Sequence, residues 1–129
     1  MKTKFKGIAW LGVRTDKFDE LLDFYQNKMG LNVKHRSDGF VALDLENGDR
    51  LEIFSQNYKS THGNDYKDFN TGPVAGFLVD NIEKTKQEME EIGIEFLGNI
   101  AEGRTSRWAH FRGVDGNTYE LTQRTGHKQ

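Results

Sequence analysis

Two glutamates stand out in this chain because the same local pattern delivers both. Asn47-Gly48-Asp49-Arg50-Leu51-Glu52-Ile53 and Asp115-Gly116-Asn117-Thr118-Tyr119-Glu120-Leu121 each place a glutamate four residues after the glycine of an Asx-Gly pair, between apolar neighbours. Asx-Gly ahead of alternating residues is a hairpin signal, because the tight turn needs positive φ. In the strand that follows, alternation sends Leu51 and Ile53 to one face and Glu52 to the other, and treats Tyr119, Leu121 and Glu120 alike. Each half of the chain thus aims one carboxylate away from its own core. Close together and unpaired, the two could not both ionise cheaply, so one pKa would rise; that makes a general acid/base or a seat for a cation. Paired with Arg112, Arg50 or Arg14, they would be ordinary ion pairs at a sheet surface. His110, ten residues before Glu120, is either an acid/base partner or a hydrogen-bonded wall residue. Trp10 and Trp108 are packing residues or, exposed in a concavity, stacking surfaces for a planar or cationic ligand. His35, His62 and His127 fall on a strand edge, a linker and the tail and read as solvated, although His62 could swing over a site if the linker is a lid.

The elements that must position these residues repeat. Alternation predicts a strand over residues 5–13, with Ala9, Leu11 and Val13 on one face and Ile8, Trp10 and Gly12 on the other. Asp16 reads as a helix N-cap, with acidic Asp19 and Glu20 in the first turn. Phe18, Leu21, Leu22, Tyr25 and Met29 follow at helical spacing, and Gly30 stops the helix. A strand over 31–36, a turn at Ser37-Asp38-Gly39, a strand over 40–45 with Val41, Leu43 and Leu45 on one face, and the Glu52 strand complete a β-α-β-β-β unit. Residues 56–72 are polar and run up to Pro73, the one proline. A loop of that length is a linker or a functional cover, and its Tyr58, Tyr66 and Phe69 point to packing on something. The order then returns: a strand over 74–79, a helix started by Asp80 with Glu83 and striped by Ile82, Met89 and Ile92, a stop at Gly93, and strands over 94–97, 106–112 and 118–122.

The chain of 129 residues reads as a single domain, with module 1 over about 5–55, the linker 56–72 and module 2 over about 73–124. A net charge of -2 offers no electrostatic basis for binding nucleic acid or an anionic membrane. With no cysteine, disulfides, thiolate chemistry and cysteine zinc sites are excluded. No apolar run reaches signal-peptide or membrane-spanning length, so a cytoplasmic protein is the expectation.

The doubled β-α-β-β-β order with a Gly-x-x-x-Glu hairpin closing each copy resembles the vicinal oxygen chelate superfamily, which contains glyoxalase I, the fosfomycin and bleomycin resistance proteins and the extradiol dioxygenases. The resemblance runs from Gly7 to Thr122. It is most specific at Phe24-Tyr25 with Met29-Gly30-Leu31, and at residues 111–121, which are similar to the family's Phe-x-Asp-Pro-Asp-Gly-Asn-x-x-Glu-Leu signature with Gly113-Val114 in place of Asp-Pro. It implies an α+β fold: two tandem βαβββ modules forming a curled mixed sheet around a cup, helices outside. It also implies a homodimer, and leaves open whether Glu52 and Glu120 meet within one chain or across two. In the family's metalloenzymes one residue from the first strand and one from the last strand of each module hold a divalent ion. The last-strand positions match Glu52 and Glu120. The first-strand positions fall on Ile8 and Val74, where metal-binding members have His. Zinc and nickel need imidazole nitrogen with carboxylate, and aliphatic side chains donate nothing. The expectation is therefore no metal and no cofactor, the alternative being a divalent metal through Glu52 and Glu120, which alone would hold magnesium or calcium only weakly.

With the two glutamates inward, alternation brings Phe54, Thr118 and Thr122 beside them, Ile8, Trp10 and Gly12 from the first strand, Val74, Gly76 and Leu78 from the fifth, and Trp108, His110 and Arg112 from the seventh. An apolar, aromatic wall with a few polar groups is the make-up of a small-molecule site. Three functions follow: metal-independent binding of a small planar or cationic molecule, as in the bleomycin-resistance branch; a metal-dependent lyase or dioxygenase of the glyoxalase type; and a metal-free lyase or isomerase using Glu120 or Glu52 with His110.

Overall fold

The computed structural model describes residues 1–58 and 72–126. The chain forms β1 (Gly7–Thr15), α1 (Phe18–Asp23) running on into a π-helical segment (Phe24–Lys28), β2 (Asn32–Ser37), β3 (Phe40–Asp44), β4 (Arg50–Ser55), β5 (Val74–Leu78), α2 (Ile82–Glu91), β6 (Phe96–Glu102), β7 (Ser106–Arg112) and β8 (Thr118–Arg124). All eight strands join one curled mixed sheet in the order β2-β3-β4-β1-β5-β8-β7-β6. The first strand of each repeat runs parallel to its last, β1 with β4 and β5 with β8, and the repeats meet where β1 and β5 pair antiparallel. No helix among the described residues is long and apolar enough to cross a membrane.

Each repeat buries one helix against one side of the sheet. In the first, Leu22 of α1 packs on Val41, Leu43 and Ile53; in the second, Ile82 and Met89 of α2 pack on Ala109, Phe111 and Leu121. These strand residues are the alternates of the glutamates, so burying them fixes which way Glu52 and Glu120 point. Both Asx-Gly hairpins form, with Gly48 at φ 94° and Gly116 at φ 86°, a region closed to most side chains.

Several boundaries differ from the sequence expectation. β1 stays extended to Thr15, so the first helix cannot begin at Asp16; its N-cap is Lys17, whose N–H donates to Thr15 Oγ1 at 3.0 Å. The second helix is capped by Asn81, whose Oδ1 accepts the Lys84 N–H at 3.0 Å, while Asp80 instead pairs with Lys6 at 3.4 Å. Ile92 lies past the end of α2 and is exposed, and Leu45 lies past the end of β3. β6 runs on beyond Leu97 because Gly98, at φ 85°, absorbs an irregularity that lets Ala101 and Glu102 pair with β7. Removing the Asn81 cap by Asn81→Ala is expected to destabilise the protein by about 1 kcal/mol, read as a lower urea midpoint at unchanged m-value.

Candidate binding cup

The concave side of the sheet, opposite the helices, carries the two glutamates within one chain. In the sheet register Gly12 of β1 lies beside Glu52, and Gly76 of β5 lies beside Glu120. Trp10 is paired across β1 and β5 with Gly76, and its indole fills the space a side chain there would take: a Cβ on Gly76 would fall 2.3 Å from Trp10 Nε1. So seated, the indole N–H donates to Glu120 Oε2 at 2.8 Å. Thr122 Oγ1 donates to the same oxygen at 2.6 Å, and His110 Nε2 lies 3.1 Å from Oε1. Glu120 is therefore anchored from three sides, by β1, β7 and its own strand.

Glu52 has a different environment. It is 8% exposed, and the Arg50 guanidinium stands 3.5 Å from its Oε2. Burial pushes its pKa up to about 8, the charge of Glu120 adds to the rise, and Arg50 offsets only part of it. At neutral pH Glu52 thus keeps its proton and can donate a hydrogen bond. The two carboxylates are neither a plain surface ion pair nor a matched pair of bases; their environments set them apart.

Aromatic rings form one wall. Phe40 lies 5.2 Å from Phe54 and 5.7 Å from Tyr58 between ring centroids, and Trp10 meets Phe54 edge-on at 5.9 Å. Arg14, buried on β1, holds this wall together: its Nη1 donates to Ser55 O and Tyr58 O, both at 3.0 Å, and its guanidinium lies over the Phe54 ring at 5.5 Å. Trp108 and His110 of β7 and Thr122 of β8 line the same cavity, of about 880 Å³, within the size range of small-molecule sites.

Of the residues expected here, Trp10, Glu52, Phe54, Trp108, His110, Glu120 and Thr122 line the cavity, and Ile8, Gly12, Val74, Gly76, Leu78, Arg112 and Thr118 do not. The register of β1 on β5 shifts between Ile8 and Trp10, which pairs Ile8 with Phe77, a residue packed in the helix-side core. That bulge turns Ile8 out of the cup and leaves it 56% exposed. Val74 is buried with Ala9 and Trp10, and Leu78 packs against the same cluster. Gly76 lies under the Trp10 indole. Arg112 donates through Nη1 to Gly116 O at 3.0 Å and Thr118 Oγ1 at 3.3 Å, tying the β7–β8 turn rather than reaching the floor. The first-strand neighbours of the glutamates are thus Gly12 and Gly76, not Ile8 and Val74. Neither offers a donor atom, and among the described residues no group of three His, Asp or Glu could hold a metal ion.

Phe40, Arg50 and Tyr58 were not expected in the cup. Phe40 was legible: it pairs with Phe54, so extending the inward parity of β4 across to β3 would have found it. Arg50 shares a face with Glu52 by the same parity. His35, read as solvated, is exposed yet lines the cavity and lies 5.9 Å from the Phe40 ring. His62, His127, Tyr66 and Phe69 lie outside the described residues, as does most of 56–72.

Residues 7–121 match the family model described as the Glyoxalase/Bleomycin resistance protein/Dioxygenase superfamily. No curated protein matches the sequence. Among solved structures, the chain is similar to methylmalonyl-CoA epimerase from Mycobacterium tuberculosis, with a TM-score of 0.71, 14% identity and coverage of 97% of this chain and 92% of that one. It is similar to the Mn(II)-bound glyoxalase from Novosphingobium aromaticivorans at a TM-score of 0.68 and 14% identity, covering 94% of this chain and 40% of that one. A superfamily member from Vibrio splendidus 12B01 gives 0.65 and 17%, covering 93% and 99%. At such identities the likeness is one of fold.

Proposed function

Because the chain belongs to the glyoxalase/bleomycin resistance protein/dioxygenase superfamily, and among the described residues no group of three His, Asp or Glu could hold a metal ion, we propose that it binds a small planar cation without a metal ion. The observation that carries this reading is the pair Glu52 and Glu120 opening into one cavity walled by aromatic rings. The rings stack on a flat ligand, and the carboxylates answer its charge. Against the alternative of a divalent metal through Glu52 and Glu120 stands the lack, among the described residues, of a group of three His, Asp or Glu able to hold one. Stoichiometric zinc, nickel, manganese or iron in purified protein would overturn metal independence. Among the described residues one chain brings both glutamates to the cavity; the homodimer is proposed from the resemblance and is read by sedimentation.

N-methylacridinium serves as a probe, and both tryptophans of the chain line the cavity, so their fluorescence reports its entry. Glu120→Gln is expected to weaken binding at least about tenfold, since a charged partner is lost. A cation favours ionised Glu52, so below the Glu52 pKa of about 8 binding must displace a proton. Affinity should accordingly rise by up to about tenfold per pH unit towards 8 and level off above it, and Glu52→Gln should flatten that rise. Unchanged affinity in both glutamine variants would show that the ligand does not sit at the glutamates.

One observation favours a second reading, a metal-free lyase or isomerase. A carboxyl titrating at about 8 beside a Glu120–His110 contact of 3.1 Å is suited to moving a proton to or from a substrate carbon. Turnover that Glu120→Gln and His110→Ala abolish while binding persists would establish it.

A further inference from the structure

Each tryptophan of the cup rests on a glycine. Trp10 covers Gly76; Trp108 covers Gly103, where a Cβ would sit 2.8 Å from Cζ3 and 3.1 Å from Cη2 of the indole. Gly103 lies in the turn between β6 and β7, closed by its N–H donating to Ser106 O at 2.8 Å. Its backbone is not in the left-handed region, so conformation does not demand glycine there. The indole does. Carbon atoms in contact settle near 3.5 to 4.0 Å, so a methyl group at 103 must displace something. The strand backbone of Trp108 is held by its pairing with Ala101 and Thr122, which leaves the outer edge of the ring to move. Trp108 also lines the cup, and a ring driven off Gly103 takes up room there.

We propose that Gly103 is a specificity-determining residue: by seating the Trp108 indole against the β6–β7 turn, it keeps the cup wide enough for a flat ligand of two or three fused rings. The cavity of about 880 Å³ lies towards the upper end of the small-molecule range and has room for a ligand of that class. Gly103 is a positioning residue and acts through Trp108. The inference rests on the reading of the cup as a site for planar cations.

The test is a series of permanent cations of one, two and three rings: N-methylpyridinium, N-methylquinolinium and N-methylacridinium, titrated calorimetrically. In the wild type all three bind. Gly103→Ala is expected to lose at least about tenfold in acridinium affinity while pyridinium changes less than about twofold, a ratio that general destabilisation would not produce. Trp108→Phe shortens the ring, so Gly103→Ala should have little effect on the acridinium-to-pyridinium ratio in that background. An unchanged ratio in Gly103→Ala, or the same loss with and without the Trp108→Phe change, overturns the inference and leaves the cup reading standing. A wild type that binds none of the three overturns the cup reading and the inference with it. Should Gly103→Ala alone fail to fold, the question is read from Trp108→Phe. A raised acridinium-to-pyridinium ratio with a folded Gly103→Ala/Trp108→Phe double variant supports the seat; an unchanged ratio or an unfolded double variant overturns it.

Discussion

Glu52→Gln is expected to leave stability near pH 4.5 almost unchanged and to raise it by about 3 to 5 kcal/mol at pH 8 and above. Folding carries the Glu52 carboxyl from an ordinary value of 4.5 up to about 8, so the folded protein holds the proton more tightly than the unfolded chain. The sign follows directly. Below pH 4.5 both states are protonated and the shift costs nothing. Between 4.5 and about 8 the unfolded chain releases its proton while the folded protein retains it, so stability falls by up to about 1.4 kcal/mol per pH unit. Above about 8 both states are ionised and the loss is complete. Glutamine is close in shape to the protonated acid and does not titrate, so it removes the whole dependence. Urea denaturation of both proteins from pH 4.5 to 9, taken as the difference between them, isolates this group from the other carboxylates. A difference that does not grow with pH would mean that Glu52 ionises freely in the folded state.

Gly76→Ala is expected to lower the melting temperature by about 10 to 20 °C. The new methyl group would meet Nε1 at 2.3 Å and its two bonded neighbours Cδ1 and Cε2 at 2.8 Å, so the clash centres on the nitrogen that donates to Glu120. β5 is held between β1 and β8, so its backbone cannot retreat. Trp10 must leave its seat, giving up its hydrogen bond to Glu120 and its edge contact with Phe54. Overpacking costs about 1 to 3 kcal/mol and a lost hydrogen bond to a charged group about 1.5 to 3, at roughly 4 °C per kcal/mol for a chain of this size. The variant Trp10→Phe, which removes the indole N–H and leaves room over Gly76, should lose only part of that. A Gly76→Ala protein melting within about 2 °C of the wild type would place the indole elsewhere.

What could be read before the fold was known was local. The two Asx-Gly turns, the alternation after each and the helical stripes of α1 and α2 all depend on residues within a few positions of one another. They led to the doubled β-α-β-β-β order and to the direction of Glu52 and Glu120. They also led to the helix-side burial of Val41, Leu43, Ile53, Ala109, Phe111 and Leu121. Parity along a single strand carried Trp10, Phe54, Trp108, His110 and Thr122 to the cup for the same reason. It failed at Ile8, where the bulge at Ala9 breaks the period of two, at Val74, Gly76 and Leu78, which lie with or beneath Trp10, and at Arg112, where a long side chain reached back to its own turn.

The turns, the faces and the carboxylates belong to the sequence, since steric preference and side-chain period act between neighbours along the chain. Strand register, by contrast, is a relation between segments far apart in the chain. Only the sheet decided that glycines flank the two glutamates, that Trp10 crosses over to Glu120, and that burial holds a proton on one carboxyl while three polar groups anchor the other. Solvation and hydrogen bonding are set by what packs alongside, and of those neighbours only Thr122 and Arg50 lie close in the chain to the glutamate they meet.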